Sequence, residues 1–211
     1  MRVATRNGMK EKLFLGYDPG GANKHGIAAV RISADGATTA AATSTLSTAR
    51  EVRDWLLKQV SPTALGIDTL LAWSLNGSRG CDRALRRRYP KHAPSIIPQN
   101  SLYSSMTING VLVAEAARVL RIPLVECHPK LLCRAALHRD PDGSTLRDAL
   151  DDLTRPPGPH PTNHEEDALV AAWCSSRWHF KRWETNLYSI PDDMHFPVGP
   201  AVYPWPEACR D

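Results

Sequence analysis

Long apolar runs are missing from this sequence. Nowhere in its 211 residues does a stretch approach the roughly 18 apolar positions that span a bilayer. The basic opening MRVATRNGMKEK is not followed by the apolar core of a signal peptide, which argues against secretion. Cysteine is sparse: Cys81, Cys127, Cys133, Cys174 and Cys209 are scattered without the paired spacing of a zinc module or a redox dithiol. The expectation is reduced thiols in a cytoplasmic protein. Internal repeats and low-complexity tracts are also missing. So is a nucleophile elbow, since neither Ser74 nor Ser78 has that context and His128 has no obvious cysteine partner.

The apolar fraction of 42% is enough for a true core, and the length suits one large domain or one domain with an extension. We expect a tail over 1–12, a domain over 13–180 with an arginine-rich insertion around 73–105, and an irregular extension over 181–211 rich in proline and aromatics. The net charge of +4 is mild, but its distribution is uneven. GSRGCDRALRRRYPKH sets Arg79, Arg83, Arg86, Arg87, Arg88 and Lys91 against the single acid Asp82. Such a cluster is either a phosphate-contacting patch or a solvated helix face.

Leu13–Tyr17 and Gly26–Ile32 read as buried strands, and Thr38–Ser44 as a third. Their short connections dictate an antiparallel meander. Ser47 or Thr48 caps a helix through Val60, with Val52, Leu56 and Val60 at helical spacing. Leu65–Asp68 is a short buried strand. A helix over Thr107–Leu120 places Ile108, Val111, Leu112, Ala116 and Leu120 on one face. Pro123–Cys127 forms a further strand, Pro129 opens a helix through His138, and an acidic, then proline-rich segment runs over 139–163. His164–Phe180 is a helix capped by Thr162 or Asn163. The order predicts an α/β fold, a mixed sheet of three antiparallel strands and then parallel ones, flanked by helices.

Three acids fall at strand ends. Asp18 closes the first strand, Asp68 closes LGID, and Glu126 lies at the end of PLVEC. Parallel neighbours bring such ends to one edge, where open α/β sheets place ligands. Clustered carboxylates repel unless a cation neutralises them, and an all-oxygen set suits magnesium or manganese. The helix HEEDALVAAW offers a fourth acid: Glu166 and Asp167 both lie on or beside its apolar stripe of Leu169, Val170, Trp173, Cys174 and Trp178. Helical projection leaves the choice between them open, and capping of the helix's own dipole is the alternative use of either acid. Carboxylate-bound metals hydrolyse phosphodiesters without a nucleophilic side chain.

The ordered set GYDPGG, GID, SRGCDRALRRRYP, PLVECHP and HEEDALVAAW resembles a family of uncharacterised proteins described as predicted RNase H-like nucleases. The likeness runs from Gly16 to Trp173. It implies an RNase H-like fold and a divalent-metal site at Asp18, Asp68, Glu126 and Asp167, so it selects Asp167 over Glu166. It also implies that Arg79, Arg83 and Arg87 steer a nucleic-acid backbone, DNA or RNA. Lys24 is a further candidate phosphate contact, and His128 and Glu166 are accessory candidates. The chain departs from the family where Thr69 and Leu70 replace the usual proline after "ID", and beyond Phe180.

The leading reading is a Mg²⁺- or Mn²⁺-dependent nuclease-like phosphodiesterase. Two alternatives stand beside it. A sugar-kinase or actin-like phosphotransferase would use a comparable D-x-G-G loop, but it needs a second lobe with a second glycine-rich loop. A catalytically silent RNase H-like module would bind nucleic acid or a protein partner.

Overall fold

The computed structural model describes residues 11–75, 77–96, 104–133 and 162–206. Three strands open the fold, β1 (Lys12–Asp18), β2 (His25–Ile32) and β3 (Thr38–Leu46). They pair as an antiparallel meander, as their short connections require. Helix α1 (Ala49–Leu56), capped by the Thr48 side chain, leads to β4 (Ala64–Ile67). There follow the short β5 (Trp73–Ser74), α2 (Gly80–Arg88) and α3 (Ser104–Val119), then β6 (Leu124–Glu126) and the single turn α4 (Pro129–Leu131). Helix α5 (Asn163–His179) precedes four two-residue strands, β7 (Thr185–Asn186), β8 (Met194–His195), β9 (Ala201–Val202) and β10 (Pro204–Trp205).

The main sheet has six strands in the order β3-β2-β1-β4-β6-β9. Strands β4, β6 and β9 run parallel to β1. This is an RNase H-like mixed sheet, reached by helical crossovers after the meander. Alternation along each strand divides the core in two. Leu13, Leu15 and Tyr17 face α1 and α3, while Phe14 faces α5 together with Trp173, Trp183 and Trp205.

Two glycines on the α5 face set how closely that helix approaches. A β-carbon on Gly16 would stand 1.8 Å from the Ala168 carbonyl oxygen, and one on Gly66 would stand 2.0 Å from that of Ala171. Gly16 and Gly66 are register partners across β1 and β4, so backbone meets backbone over a bare patch of sheet. Helix α5 is buried on nearly all sides from Asp167 to Arg177, so its apolar residues form no single stripe.

The structure departs from the sequence reading in α1, in α3 and in the C-terminal extension. Helix α1 ends at Leu56, and Val60 is exposed rather than on a buried face. Helix α3 buries Val113, Ala114 and Ala117, while Ile108, Leu112 and Leu120 face solvent. Small residues face inward there because α3 lies against Thr69: a β-carbon on Gly110 would meet its Oγ1 at 2.5 Å. The described residues of the arginine-rich insertion include α2 and a 3₁₀ turn over Pro90–Ser95. The proline- and tryptophan-rich extension supplies the sixth strand and buries Trp183, Leu187, Tyr203 and Trp205. The helix expected through His138 is described only to residue 133, and the segment 139–161 lies outside the described residues.

Candidate metal centre

Strand β1 delivers Asp18 at its C-terminal end, and Asp68 follows β4 directly, tied down by its N–H donating to the Tyr17 carbonyl. Helix α5 delivers Asp167 from its first turns. That helix starts where it does because Thr162 and Glu165 form a reciprocal capping box. Each of the three aspartates offers a carboxylate oxygen, and these lie within 4.8 Å of one another. Asp18 and Asp167 are buried. Glu166 points to solvent, so the choice that helical projection left open falls to Asp167.

The electrostatics follow from crowding. Burial, reinforced by Asp167 and opposed by Lys130, pushes Asp18 up to about 8. Burial and the charges of Asp18 and Asp167 hold Asp68 well above the ordinary carboxylate range. Two neighbours touch the trio, and of these Lys130 opposes the repulsion. His164 Nδ1 hydrogen-bonds Asp18 Oδ2, and Lys130 Nζ lies 3.5 Å from Asp167 Oδ2. Partial burial works against the Lys130 charge, but Asp167, Asp68 and Asp18 outweigh it and raise the ammonium's pKa. Lys130 was not singled out by the sequence reading, and His164 was not given a role. The signal for His164 was its position one turn before Asp167. Lys130 stands four residues past Glu126, at the start of a Pro-initiated turn.

Glu126 does not join the trio. Its register partner is Ile67, not Asp68, so its side chain leaves the sheet on the opposite face. There it accepts from the Leu71 N–H at 2.6 Å, from Arg79 and from the Tyr188 hydroxyl. Arg79, expected at a phosphate-contacting surface, is 1% exposed. Its guanidinium grips Asp82 through two bonds of 2.8 Å and reaches Glu126 at 2.6 Å. Arg79 is therefore a buried cation for two buried acids, in a geometry a planar fork favours. The rings of Tyr188 and Tyr203 lie 5.9 Å from it, which ties the C-terminal extension to the same network.

Of the other basic candidates, Arg83 is half-exposed and pairs with Asp192 at 3.7 Å, and Arg87 and Lys24 are exposed. His128 is not part of the trio, and its Nε2 lies 3.0 Å from the Ser95 carbonyl oxygen. Among the described residues, no helix is long and apolar enough to cross a membrane.

Comparison with solved structures returns the Thermus thermophilus RuvC structure at 18% identity and a TM-score of 0.47, over 81% of this chain and 97% of that one. T. thermophilus RuvC in complex with Holliday junction substrate follows at 14% identity and a TM-score of 0.44, with the same coverage. No curated protein matches the chain. A model of the family described as protein of unknown function (DUF429) matches residues 16–107, from the strand that ends in Asp18 through the arginine-rich helix. The match covers less than half of the chain and agrees there with the likeness to an uncharacterised family, over the stretch that holds Asp18, Asp68 and the arginine-rich helix.

Proposed function

We propose that the protein is a divalent-metal-dependent nuclease, a phosphodiesterase acting on DNA or RNA in the cytoplasm. One observation carries this reading: carboxylate oxygens from three distant segments, the ends of two neighbouring strands and the start of α5, lie within 4.8 Å of one another. Burial and mutual repulsion leave Asp18 and Asp68 short of countercharge, and an all-oxygen donor set fits a hard cation, Mg²⁺ or Mn²⁺. Asp18, Asp68 and Asp167 would hold it. A bound cation there supplies charge to the phosphoryl oxygens and acidifies a water.

The remaining work falls to side chains. His164 orients the Asp18 carboxylate through its Nδ1 contact. Lys130, half-exposed at the trio's edge, faces the phosphate that approaches the site. Arg83, Arg87 and Lys24 contribute sequence-independent backbone contacts. Glu126 and Arg79 act structurally, locking the start of α2 against the end of β6.

The test uses single-stranded, duplex, hybrid and branched oligonucleotides with Mg²⁺ or Mn²⁺, comparing the wild type with Asp18→Asn. Cleavage should fall by about a thousandfold, the scale at which a metal centre contributes. Equal cleavage by both proteins removes the assignment. Metal-dependent oligonucleotide binding without any cleavage points to the silent module instead, and ATP turnover with a sugar to the phosphotransferase.

A further inference from the structure

Helix α3 carries in its interior two adjacent residues that helices disfavour, Asn109 and Gly110. Each touches a loop that follows an aspartate of the trio. A β-carbon on Gly110 would meet Thr69, the residue after Asp68, at 2.5 Å. Asn109 Nδ2 donates to the carbonyl of Gly20, two residues after Asp18, at 3.0 Å. The helix is thus seated on one aspartate loop and reaches across to hold the other. A local rule broken twice in succession, with both breaks at one site, marks a functional constraint.

Asp18 itself does not need the Asn109 amide. It is fixed by its pairing with Gly26 across β1 and β2 and by its contact with His164. What the amide holds is the turn beyond it, residues 19–24. Gly20 is buried against the Lys24 backbone, whose carbonyl oxygen a β-carbon on Gly20 would approach to 1.9 Å. The Lys24 N–H donates to the Gly21 carbonyl at 3.1 Å, and the Asn23 N–H to the Ser47 carbonyl at 3.0 Å. The point that Asn109 grips is therefore in contact with the backbone of Lys24. Lys24 is exposed, and its charge reaches the trio's edge: after burial, Lys130 and Lys24 both lower His164, the partner of Asp18.

We propose that Asn109 is a positioning residue for nucleic acid: its amide fixes the turn at Gly20 so that Lys24 is presented to a backbone phosphate of the strand at the metal centre. The inference rests on the nuclease reading and adds to it a phosphate contact whose strength is set by a neutral side chain.

Asn109→Ala, Lys24→Ala and the double variant test this. Alanine is the better helix former, which offsets the lost hydrogen bond, so Asn109→Ala should melt within about 3 °C of wild type. Binding to a labelled DNA duplex and a labelled RNA strand is followed by fluorescence anisotropy over a salt series, with Ca²⁺ as the oxygen-seeking cation. Each single variant should bind about three- to tenfold more weakly, and the double variant no more weakly than Lys24→Ala alone. Asn109→Ala removes no charge, yet it should lower the salt slope by up to about one counterion, as Lys24→Ala does. Hydrogen–deuterium exchange should quicken over residues 19–24, while calorimetric Mn²⁺ affinity stays at the wild-type value. Additive losses, an unchanged salt slope, unchanged exchange or wild-type binding by Asn109→Ala overturns the positioning role and leaves the nuclease reading standing. So does a fall in Mn²⁺ affinity, which would put the amide to work on Asp18, or a lower melting temperature with faster exchange throughout, which would make Asn109 structural. Failure of the wild type to bind either nucleic acid overturns the nuclease reading and the positioning role with it.

Discussion

Lys130 Nζ lies 3.5 Å from Asp167 Oδ2, so a cation of the chain's own already stands at the edge of the carboxylate trio. A divalent ion must share the carboxylates with it or displace it. Removing the ammonium by Lys130→Gln should raise apparent Mn²⁺ affinity by about three- to tenfold, since a nearby like charge is lost from a partly screened site. The same variant should lower the metal-free melting temperature. Calorimetric titration and thermal melting read the two effects, and unchanged affinity with unchanged stability separates Lys130 from the site.

The metal-free protein should lose stability as pH rises. Asp18 has a folded pKa of about 8 against an ordinary 3.8, and Asp68 is displaced in the same direction. Below the lower value Asp18 is protonated both folded and unfolded. Through the window between the two, the unfolded chain has released a proton that the folded chain keeps, so unfolding becomes easier. Melting temperature should therefore fall from about pH 5 to about pH 8, and Mg²⁺ or Mn²⁺ should restore more of it at the higher pH, where fewer protons must leave. A metal-free melting temperature that climbs over this range contradicts the placement of the two carboxyls.

Gly16→Ala and Gly66→Ala should each destabilise by about 1–3 kcal/mol or more, because overpacking has only backbone to push against. Metal affinity should fall with them, as α5 carries Asp167. Gly21→Ala is the control, since a β-carbon there meets nothing within 4 Å. Urea denaturation and Mn²⁺ titration give both readings. Near-wild-type behaviour of the first two variants means that the helix does not rest on the sheet as described.

Arg79 and Arg87 sit in one basic stretch and should behave differently. Arg79→Met strands two buried acids and should cost about 3–5 kcal/mol. Arg87→Ala should stay within about 0.5 kcal/mol of wild type in stability. It should nonetheless weaken oligonucleotide binding and reduce the salt dependence by about one counterion. A stable Arg79→Met protein with weakened binding reverses the assignment.

The strands were legible because apolar runs, turn residues and connection lengths are local signals, and their ends alone brought Asp18 and Asp68 to one edge. Asp167 became legible only through the family likeness, since helical projection could not separate it from Glu166. Glu126 was misjudged because its face depends on the register between β4 and β6, which neither strand encodes by itself. Arg79 looked like its exposed neighbours until Asp82 and Glu126 closed on it, the latter from 47 residues away. The inward face of α3 was hidden for a different reason. Where a helix lies close on a sheet, the buried residues are the small ones, and hydrophobicity points to the wrong side.

The bare patch under α5 changes how the two aspartate motifs should be read. Gly16-Tyr17-Asp18 and Gly66-Ile67-Asp68 have the same form, and a two-residue period puts each glycine on its aspartate's side of the sheet. One member of the pair sets the height of the helix, and the other uses that height to reach across. In a related chain that keeps every acid but carries a bulkier residue at either glycine, the carboxylates would remain in the sequence yet stand too far apart to share an ion. The glycine, rather than the acid, would then separate an active relative from a silent one.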